Sequence, residues 1–248
     1  MTWLDELTAH AQTNLSDRVR DALYARGVSD EQVAEYRIGY LDRKLPDFEG
    51  MGDFLKWAHQ GSRLDDVLVL PLTNTLGVIH GFQFRHVDRA RKGYLDFLPY
   101  KEESVLFGLG QAMPHVWRTE GIWLVEGAFD LFPIQRHFPG VVATLTARVP
   151  ENLVRVMRRM VRHVWVGYDM DAAGRSAAAD FARGYSGDFR VETVYYPQAH
   201  VLGSTLPTKD PGDLWEAWGD EQLGRFVQSV IRSINPMEFS DAEAVFVR

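Results

Sequence analysis

From residue 120 onward the sequence alternates short apolar runs with stretches of helical periodicity, and this alternation limits the possible folds more than any other feature. The apolar runs predict strands at 122–125, 141–144, 164–168 and 191–195, and the stretches between them predict helices at 129–137, 150–162 and 172–183. Strands that alternate with helices are typical of βαβ units. Because such crossovers are right-handed, we expect one parallel sheet with helices on both faces.

The region before residue 120 has a different pattern. Helical spacing predicts helices between 16 and 36, interrupted at Gly27 and restarted by the capping sequence that begins at Ser29. Two apolar segments, 67–72 and 78–85, flank a turn sequence at 74–77 and predict an antiparallel hairpin. After the βαβ region, 213–233 reads as a helix and 236–248 as a loosely docked tail. The sequence therefore predicts an α/β fold preceded by a mixed α+β part and followed by a short helical segment.

Composition excludes several classes of protein. The 248 residues include no Cys, which excludes disulfide scaffolds and zinc or iron–sulfur sites built on Cys. With 27 basic and 34 acidic residues the net charge is −7, which argues against nucleic-acid binding by bulk charge but is compatible with an acidic site that works through bound cations. We find no signal sequence and no apolar run long enough to cross a bilayer, so we expect a soluble, cytoplasmic protein without membrane contact.

Acidic residues follow two of the predicted strands directly. Glu126-Gly127 follows the first strand, and Asp169-Met170-Asp171 follows the third. Ligands of open parallel sheets bind beyond the carboxyl ends of the strands, so Glu126, Asp169 and Asp171 would share one crevice if their strands are neighbours. Clustered carboxylates repel one another unless a hard cation neutralises them, and Mg²⁺ prefers carboxylate and phosphate oxygens. This arrangement favours phosphoryl-transfer chemistry with two metal ions.

Further acids could join the same crevice. Asp130 lies one helical turn after Glu126, and the tight turn Lys209-Asp210-Pro211-Gly212-Asp213 could direct Asp210 and Asp213 toward it. Taken singly, each of these motifs is more often a loop, a helix cap or a surface turn than a functional site. Their order, with two of them at strand ends separated by βα units, is what favours a common site.

These residues resemble the Toprim fold shared by DnaG-type primases, topoisomerases and some nucleases. The resemblance rests on three acidic segments, which are residues 125–130, 167–174 and 209–213, and on the segment 142–147 between the first two. The amino-acid sequence in and around these segments resembles that of DnaG-type primases in particular. Upstream, residues 23–28, 37–40, 70–72, 77–85, 92–95 and 101–109 resemble the beginning of the primase polymerase domain, its hairpin with the following arginine, and its basic segment. The resemblance covers about residues 16–214.

The resemblance implies a primase catalytic core that synthesises short primers on single-stranded DNA by metal-dependent nucleotidyl transfer. It implies two or more Mg²⁺ or Mn²⁺ ions and no zinc, with NTPs, a single-stranded DNA template and a replicative helicase or other replisome protein as partners. The implied catalytic residues are Glu126, Asp169 and Asp171. The implied metal ligands are these three together with Asp130, Asp210 and Asp213. The implied contacts to nucleotide or DNA are Arg85, Lys92, Tyr94, Lys101 and Lys209.

The resemblance also divides the chain and shows departures. It implies a primase-type N-terminal subdomain at 1–115, a Toprim domain at 116–213 and a short helical segment at 214–248. Because the sequence has no Cys, we expect no zinc-binding module, and we expect no helicase-interacting domain, as in a minimal phage- or plasmid-type primase acting at the nucleoid or in a phage replication complex. Two alternatives stay open, namely a Toprim-type metal-dependent nuclease and a non-catalytic regulatory module that binds nucleic acid.

Overall fold

The computed structural model describes residues 2–60, 64–91, 93–99, 105–146, 148–197, 199–201, 204–206 and 208–232. Two predicted contact residues, Lys92 and Lys101, lie outside the described residues, as does the predicted tail at 236–248. Within the described part of the chain, no helix is both long enough and apolar enough to cross a membrane.

An antiparallel sheet with four strands in the order β1-β2-β3-β4 dominates the first half of the chain. Its elements are α1 (Trp3–Thr13), α2 (Asp17–Tyr24), α3 (Asp30–Glu35), β1 (Gly39–Leu41), α4 (Gly52–His59), β2 (Val67–Thr73), β3 (Ile79–His86) and β4 (Tyr94–Phe97). The predicted hairpin is β2–β3. The Asn74 side-chain oxygen accepts hydrogen bonds from the backbone N–H groups of Leu76 and Val78, at 2.9 and 3.1 Å, and so fixes the turn.

A parallel sheet in the order β6-β5-β7-β8 forms the second half, so β5 and β7 are neighbours. Its elements are α5 (Leu109–Thr119), β5 (Gly121–Val125), α6 (Ala128–Gln135), β6 (Val141–Ala143), α7 (Glu151–Met157), β7 (His163–Val166), α8 (Ala172–Tyr185) and β8 (Arg190–Thr193). A small hairpin, β9 (Ala199–Val201) with β10 (Ser204–Leu206), and the helix α9 (Pro211–Arg232), kinked at Gly219, follow.

Both faces of the parallel sheet are covered by helices. On one face Trp123, Val125 and Trp165 pack in a core shared with α2, α3, α6 and α9. On the other face the alternate residues Ile122 and Leu124 pack in a core shared with α5, α7 and α8. Alternation along each strand directs successive side chains to opposite faces, which explains why these strands are apolar throughout. The predicted α/β fold with helices on both faces is confirmed.

One helix is shorter than the sequence pattern predicts. The stretch at 150–162 forms a helix only over Glu151–Met157. The backbone N–H groups of Arg162 and His163 both donate to the carbonyl of Glu120, at 2.7 and 3.1 Å, which places the chain beside β5 at the start of β7. A helix continuing to Arg162 would not leave these N–H groups free to begin the strand.

The predicted boundaries at 115/116 and 213/214 stay predictions. The helix α5 spans the first boundary and α9 spans the second. In addition, one hydrophobic core contains residues of α2, α3 and β2 together with residues of the parallel sheet. The hydrophobic core therefore continues across the predicted boundary at 115/116.

Lowering the pH should destabilise the protein through His115. This side chain packs edge-on against Phe138, with ring centroids 4.6 Å apart, and burial, with the charge of Arg118 adding to it, lowers its pKa to about 4. Between pH 6.5 and 4 the unfolded chain therefore binds a proton that the folded chain does not bind, so stability falls as the pH falls. The unfolding free energy of the wild type should decrease between pH 7 and pH 5. In His115→Phe we expect this decrease to be smaller by about 1 to 2 kcal/mol. Urea unfolding at both pH values measures this, and an equal loss in the variant would contradict it.

Candidate active site

The two acidic segments that follow β5 and β7 meet at one edge of the parallel sheet. Leu124 of β5 pairs with Val166 of β7 in the parallel ladder. Glu126 follows Leu124 by two residues and Asp169 follows Val166 by three, so both acids lie just beyond the paired ends of neighbouring strands. Burial raises the pKa of Glu126, and the charges of Asp169 and Asp171 raise it further. The structure thus brings together the three residues for which the sequence predicts catalysis.

Asp130 lies beneath this edge in the first turn of α6. Its carboxylate accepts a hydrogen bond from the backbone N–H of Gly127 at 3.0 Å. Burial, together with the charges of Asp210 and Asp169, raises the pKa of Asp130 well above its usual value. A side chain at Gly127 would place its Cβ 2.5 Å from Asp130 Oδ2, so glycine is what allows this carboxylate to fold back against the end of the strand.

The segment 209–213 docks onto the same edge by its backbone and by its charges. The N–H of Met170 donates to the carbonyl of Lys209 at 2.7 Å. The Lys209 ammonium lies 3.4 Å from Asp169 Oδ2 and 3.2 Å from Asp210 Oδ2. The Lys209 N–H donates to Asp213 at 3.0 Å and the Asp213 N–H donates to Asp210 at 2.7 Å, and these two bonds hold the turn at the start of α9. Asp210 therefore joins the acidic edge, while Asp213 mainly supports the turn.

The Asp171 carboxylate also makes a structural contact. Its Oδ1 accepts a hydrogen bond from the backbone N–H of Gly174 at 2.8 Å and so caps α8. A Cβ on Gly174 would lie 2.1 Å from the backbone oxygen of Asp169. The close approach of this helix to the strand end thus depends on glycine at 174.

The chemistry of these donors fits a hard divalent cation. They are all carboxylate oxygens, and burial and mutual repulsion raise the pKa values of Glu126, Asp130 and Asp169. Such excess negative charge is what Mg²⁺ or Mn²⁺ bound by carboxylates neutralises. As the side chains stand, no three His, Asp or Glu residues of the described part are spaced to hold one ion between them. Lys209 supplies the positive charge nearest to Asp169 and Asp210.

Basic and aromatic residues border the acidic edge on the side of the antiparallel sheet. The Arg85 guanidinium donates to the carbonyl of Gly93 at 2.7 Å and lies over the ring of Tyr94, 4.7 Å from its centroid. The Tyr94 hydroxyl lies 3.2 Å from the position that a Cβ on Gly127 would take. Two of the predicted nucleotide or DNA contacts, Arg85 and Tyr94, are therefore next to the acids.

Arg26 is a residue of this region that the sequence analysis did not single out. Its guanidinium is buried, donates to the carbonyls of Ala22, His86 and Val87, and lies over the ring of Phe129 at 5.3 Å. Burial, with the charges of Arg85 and Arg89 adding to it, lowers its pKa to about 10. Only its position in a segment resembling primases could have indicated it, because two of its three acceptors, the carbonyls of His86 and Val87, come near it through tertiary structure.

Comparisons with known proteins agree with this geometry. Residues 123–202 match the family model described as Toprim-like. The DNA primase of Deinococcus radiodurans is 26% identical over 229 residues, a match that covers 83% of this chain and 40% of that protein. The DNA primase of Treponema pallidum is 27% identical over 178 residues, which cover 64% of this chain and 29% of that protein. The chain thus spans less than half the length of these curated relatives.

Solved structures share the fold over almost the whole chain. The DnaG catalytic core superposes with a TM-score of 0.71 at 21% identity, over 94% of this chain and 83% of that one. The DnaG primase catalytic domain bound to ssDNA superposes with a TM-score of 0.66 at 20% identity, over 94% and 81% of the two chains. This chain is similar in sequence to DNA primases and in fold to a primase catalytic core. The resemblance seen in the sequence is confirmed.

In this structure the predicted site residues fall into three groups. Those that the structure brings together at the end of the parallel sheet are Glu126, Asp130, Asp169, Asp171, Lys209, Asp210 and Asp213. Arg85 and Tyr94 border them. Lys92 and Lys101 lie outside the described residues, so their roles stay predictions.

Proposed function

We propose that this chain is a primase catalytic core that synthesises short primers on single-stranded DNA. The observation that carries the proposal is that three acidic segments, distant in sequence, converge on one sheet edge beside the Arg85–Tyr94 pair. Homology to DNA primases supports this function, and the solved DnaG domain bound to ssDNA supports the template class. A helicase or another replisome protein is the partner we propose, at the nucleoid or in a phage replication complex in the cytoplasm.

Glu126, Asp169 and Asp171 are the residues that would hold the divalent cations, with Asp130, Asp210 and Asp213 supporting them. When bound, such ions activate an attacking hydroxyl and neutralise the leaving phosphates in an in-line displacement. The negative charges of these carboxylates repel other anions. A substrate phosphate can therefore approach the sheet edge only beside a positive charge. Arg85 offers a planar fork for phosphate oxygens, and its contact with Tyr94 orients that fork.

The reaction we propose joins two nucleotides. A nucleotide 3′-hydroxyl oxygen forms a bond to the α-phosphorus of the incoming NTP, the bond from that phosphorus to the β-phosphate oxygen breaks, and pyrophosphate leaves. The hydroxyl proton passes to solvent or to a carboxylate at the acidic edge.

Incubation with single-stranded DNA, labelled NTPs and Mg²⁺ or Mn²⁺ tests the proposal, with products separated by length. We expect labelled oligonucleotides that appear only with the metal and disappear when EDTA is added. Shortened DNA without labelled product would instead identify a nuclease. Binding of DNA without either product, with both metals and with both rNTPs and dNTPs, would identify a non-catalytic module.

Arg85→Gln should weaken the binding of single-stranded DNA. Loss of one guanidinium that contacts phosphate should raise the Kd about five- to tenfold and reduce the slope of log K against log salt by about 0.7, the value for one phosphate contact on a single strand. Fluorescence anisotropy of a labelled oligonucleotide over a salt series measures both. Arg20→Gln is the matched control, since Arg20 on α2 pairs with Asp30 of α3 and carries the same charge as Arg85. An equal loss in both variants would show that only net charge matters.

A further inference from the structure

The resemblance to primases implies that Lys209 contacts nucleotide or DNA, but in the structure its side chain contacts two acidic residues. Its ammonium lies between two carboxylates, 3.4 Å from Asp169 Oδ2 and 3.2 Å from Asp210 Oδ2. The two acids come from different parts of the chain, one from the end of β7 and one from the turn before α9. A cation at this point therefore links these two elements at the edge of the sheet.

The backbone of Lys209 is fixed while its side chain is not enclosed. Its carbonyl accepts from Met170 at 2.7 Å and its N–H donates to Asp213 at 3.0 Å. By contrast, the side chain is 56% exposed. A Lys ammonium is a point charge on a four-carbon stem, so it can leave its carboxylates for solvent without moving the backbone.

We propose that Lys209 is an internal counterion that a divalent cation displaces from Asp169 and Asp210. The inference rests on the proposed function, because it takes these acids as ligands. An ammonium and a divalent cation seek the same oxygens and repel each other at such short range. Without metal, Lys209 limits the repulsion between the two acids. When metal binds, the ammonium is released on a fixed backbone at the rim of the site, where a substrate phosphate would meet it.

The inference predicts that removing the ammonium makes metal binding tighter. We expect Lys209→Met to lower the Kd for Mn²⁺ about tenfold, because the ion no longer has to displace a positive charge. Electron paramagnetic resonance of free Mn²⁺ measures this without DNA or NTP, so the result does not depend on activity. Lys209→Gln removes the same charge with a polar side chain and should show the same direction. Lys209→Arg keeps the charge and should leave the Kd within about threefold of wild type.

Lys56→Met is the matched control, because Lys56 is an exposed residue of α4 that pairs with Asp53 and its loss changes net charge equally. We expect it to leave Mn²⁺ binding unchanged. Unchanged or weaker binding in both Lys209→Met and Lys209→Gln would overturn the inference, and so would equal tightening in Lys56→Met. If the wild type binds no Mn²⁺, both the inference and the metal-dependent function fail. If it binds Mn²⁺ and the variants bind equally, only the inference fails.

Discussion

We expect Asp169→Asn to lower the rate of primer synthesis about a thousandfold while the protein stays folded. Asp169 is central to the acidic edge, since its charge raises the pKa values of both Glu126 and Asp130 and its carboxylate contacts the Lys209 ammonium. An amide of the same shape keeps the packing but loses the negative charge that would hold a divalent cation. Loss of one electrostatic contact of this kind in an active site costs about 10² to 10³ in rate, and a metal ligand falls at the upper end.

Stability separates this effect from misfolding. Burial and the charge of Asp210 raise the pKa of Asp169, so the ionised carboxylate is less stable in the folded chain than in the unfolded one. Neutralising it should therefore leave the unfolding free energy unchanged or increase it by up to about 1 kcal/mol. Urea unfolding and the primer assay measure the two effects on the same sample.

Asp180→Asn is the matched control for this prediction. Asp180 lies on α8 and pairs with Arg183 at the surface, where its side chain is 55% exposed. We expect this variant to synthesise primers at the wild-type rate, because exposed ion pairs contribute little and Asp180 is not among the acids at the sheet edge. A rate for Asp169→Asn within tenfold of wild type would contradict the proposed role of this residue.

The sequence predicted the acidic edge because a periodic signal and a chemical signal coincide there. Fully apolar runs indicated β5 and β7, and each run leads into its acids within a few residues. The rule that the carboxyl ends of parallel strands share an edge then places Glu126 near Asp169 without any coordinates. Chain order did not reveal that β5 and β7 are adjacent, and the resemblance to a known fold supplied that step.

Elements with weak periodicity were missed. The strand β4 is a short edge strand whose residues are only partly buried, so it lacks the apolar run by which β2 and β5 are recognised. The helix α1 has a capping box between Thr2 and Asp5, a signal that could have predicted it. The length of α7 was overestimated because the helical pattern continues past Met157, whereas tertiary hydrogen bonds to Glu120 begin the next strand.

The surroundings of Lys209 could not be predicted from local sequence. Its position beside Asp210 is visible, but its contact with Asp169 depends on the hydrogen bond that joins Met170 to Lys209 across 39 positions of the chain. Contacts of this kind are set by how two loops dock, and no periodicity records them. The same holds for Arg26, whose acceptors at 86 and 87 are the last residue of β3 and the residue after it.

Gly174→Ala should damage both the stability and the activity of the protein. A Cβ at this position would lie 2.1 Å from the backbone oxygen of Asp169 and 2.9 Å from its carbonyl carbon and nitrogen. These are backbone atoms, so no rotamer change relieves the contact, and either α8 or the segment that carries Asp169 must move. We expect a loss of about 2 to 3 kcal/mol in unfolding free energy, as for overpacked sites. We expect at least about a hundredfold loss in primer synthesis, because a displacement of about 1 Å suffices for that.

A second glycine of α8 provides a control for which we expect the opposite change in stability. Gly184 is an exposed residue of α8, and a Cβ there would meet nothing within 4 Å. Gly184→Ala should therefore stabilise the protein by up to about 1 kcal/mol, since alanine favours helix more than glycine does, and should leave primer synthesis unchanged. Thermal unfolding and the primer assay compare the two variants directly. If Gly174→Ala behaved like Gly184→Ala, the close approach of α8 to the strand end would not be what positions Asp169.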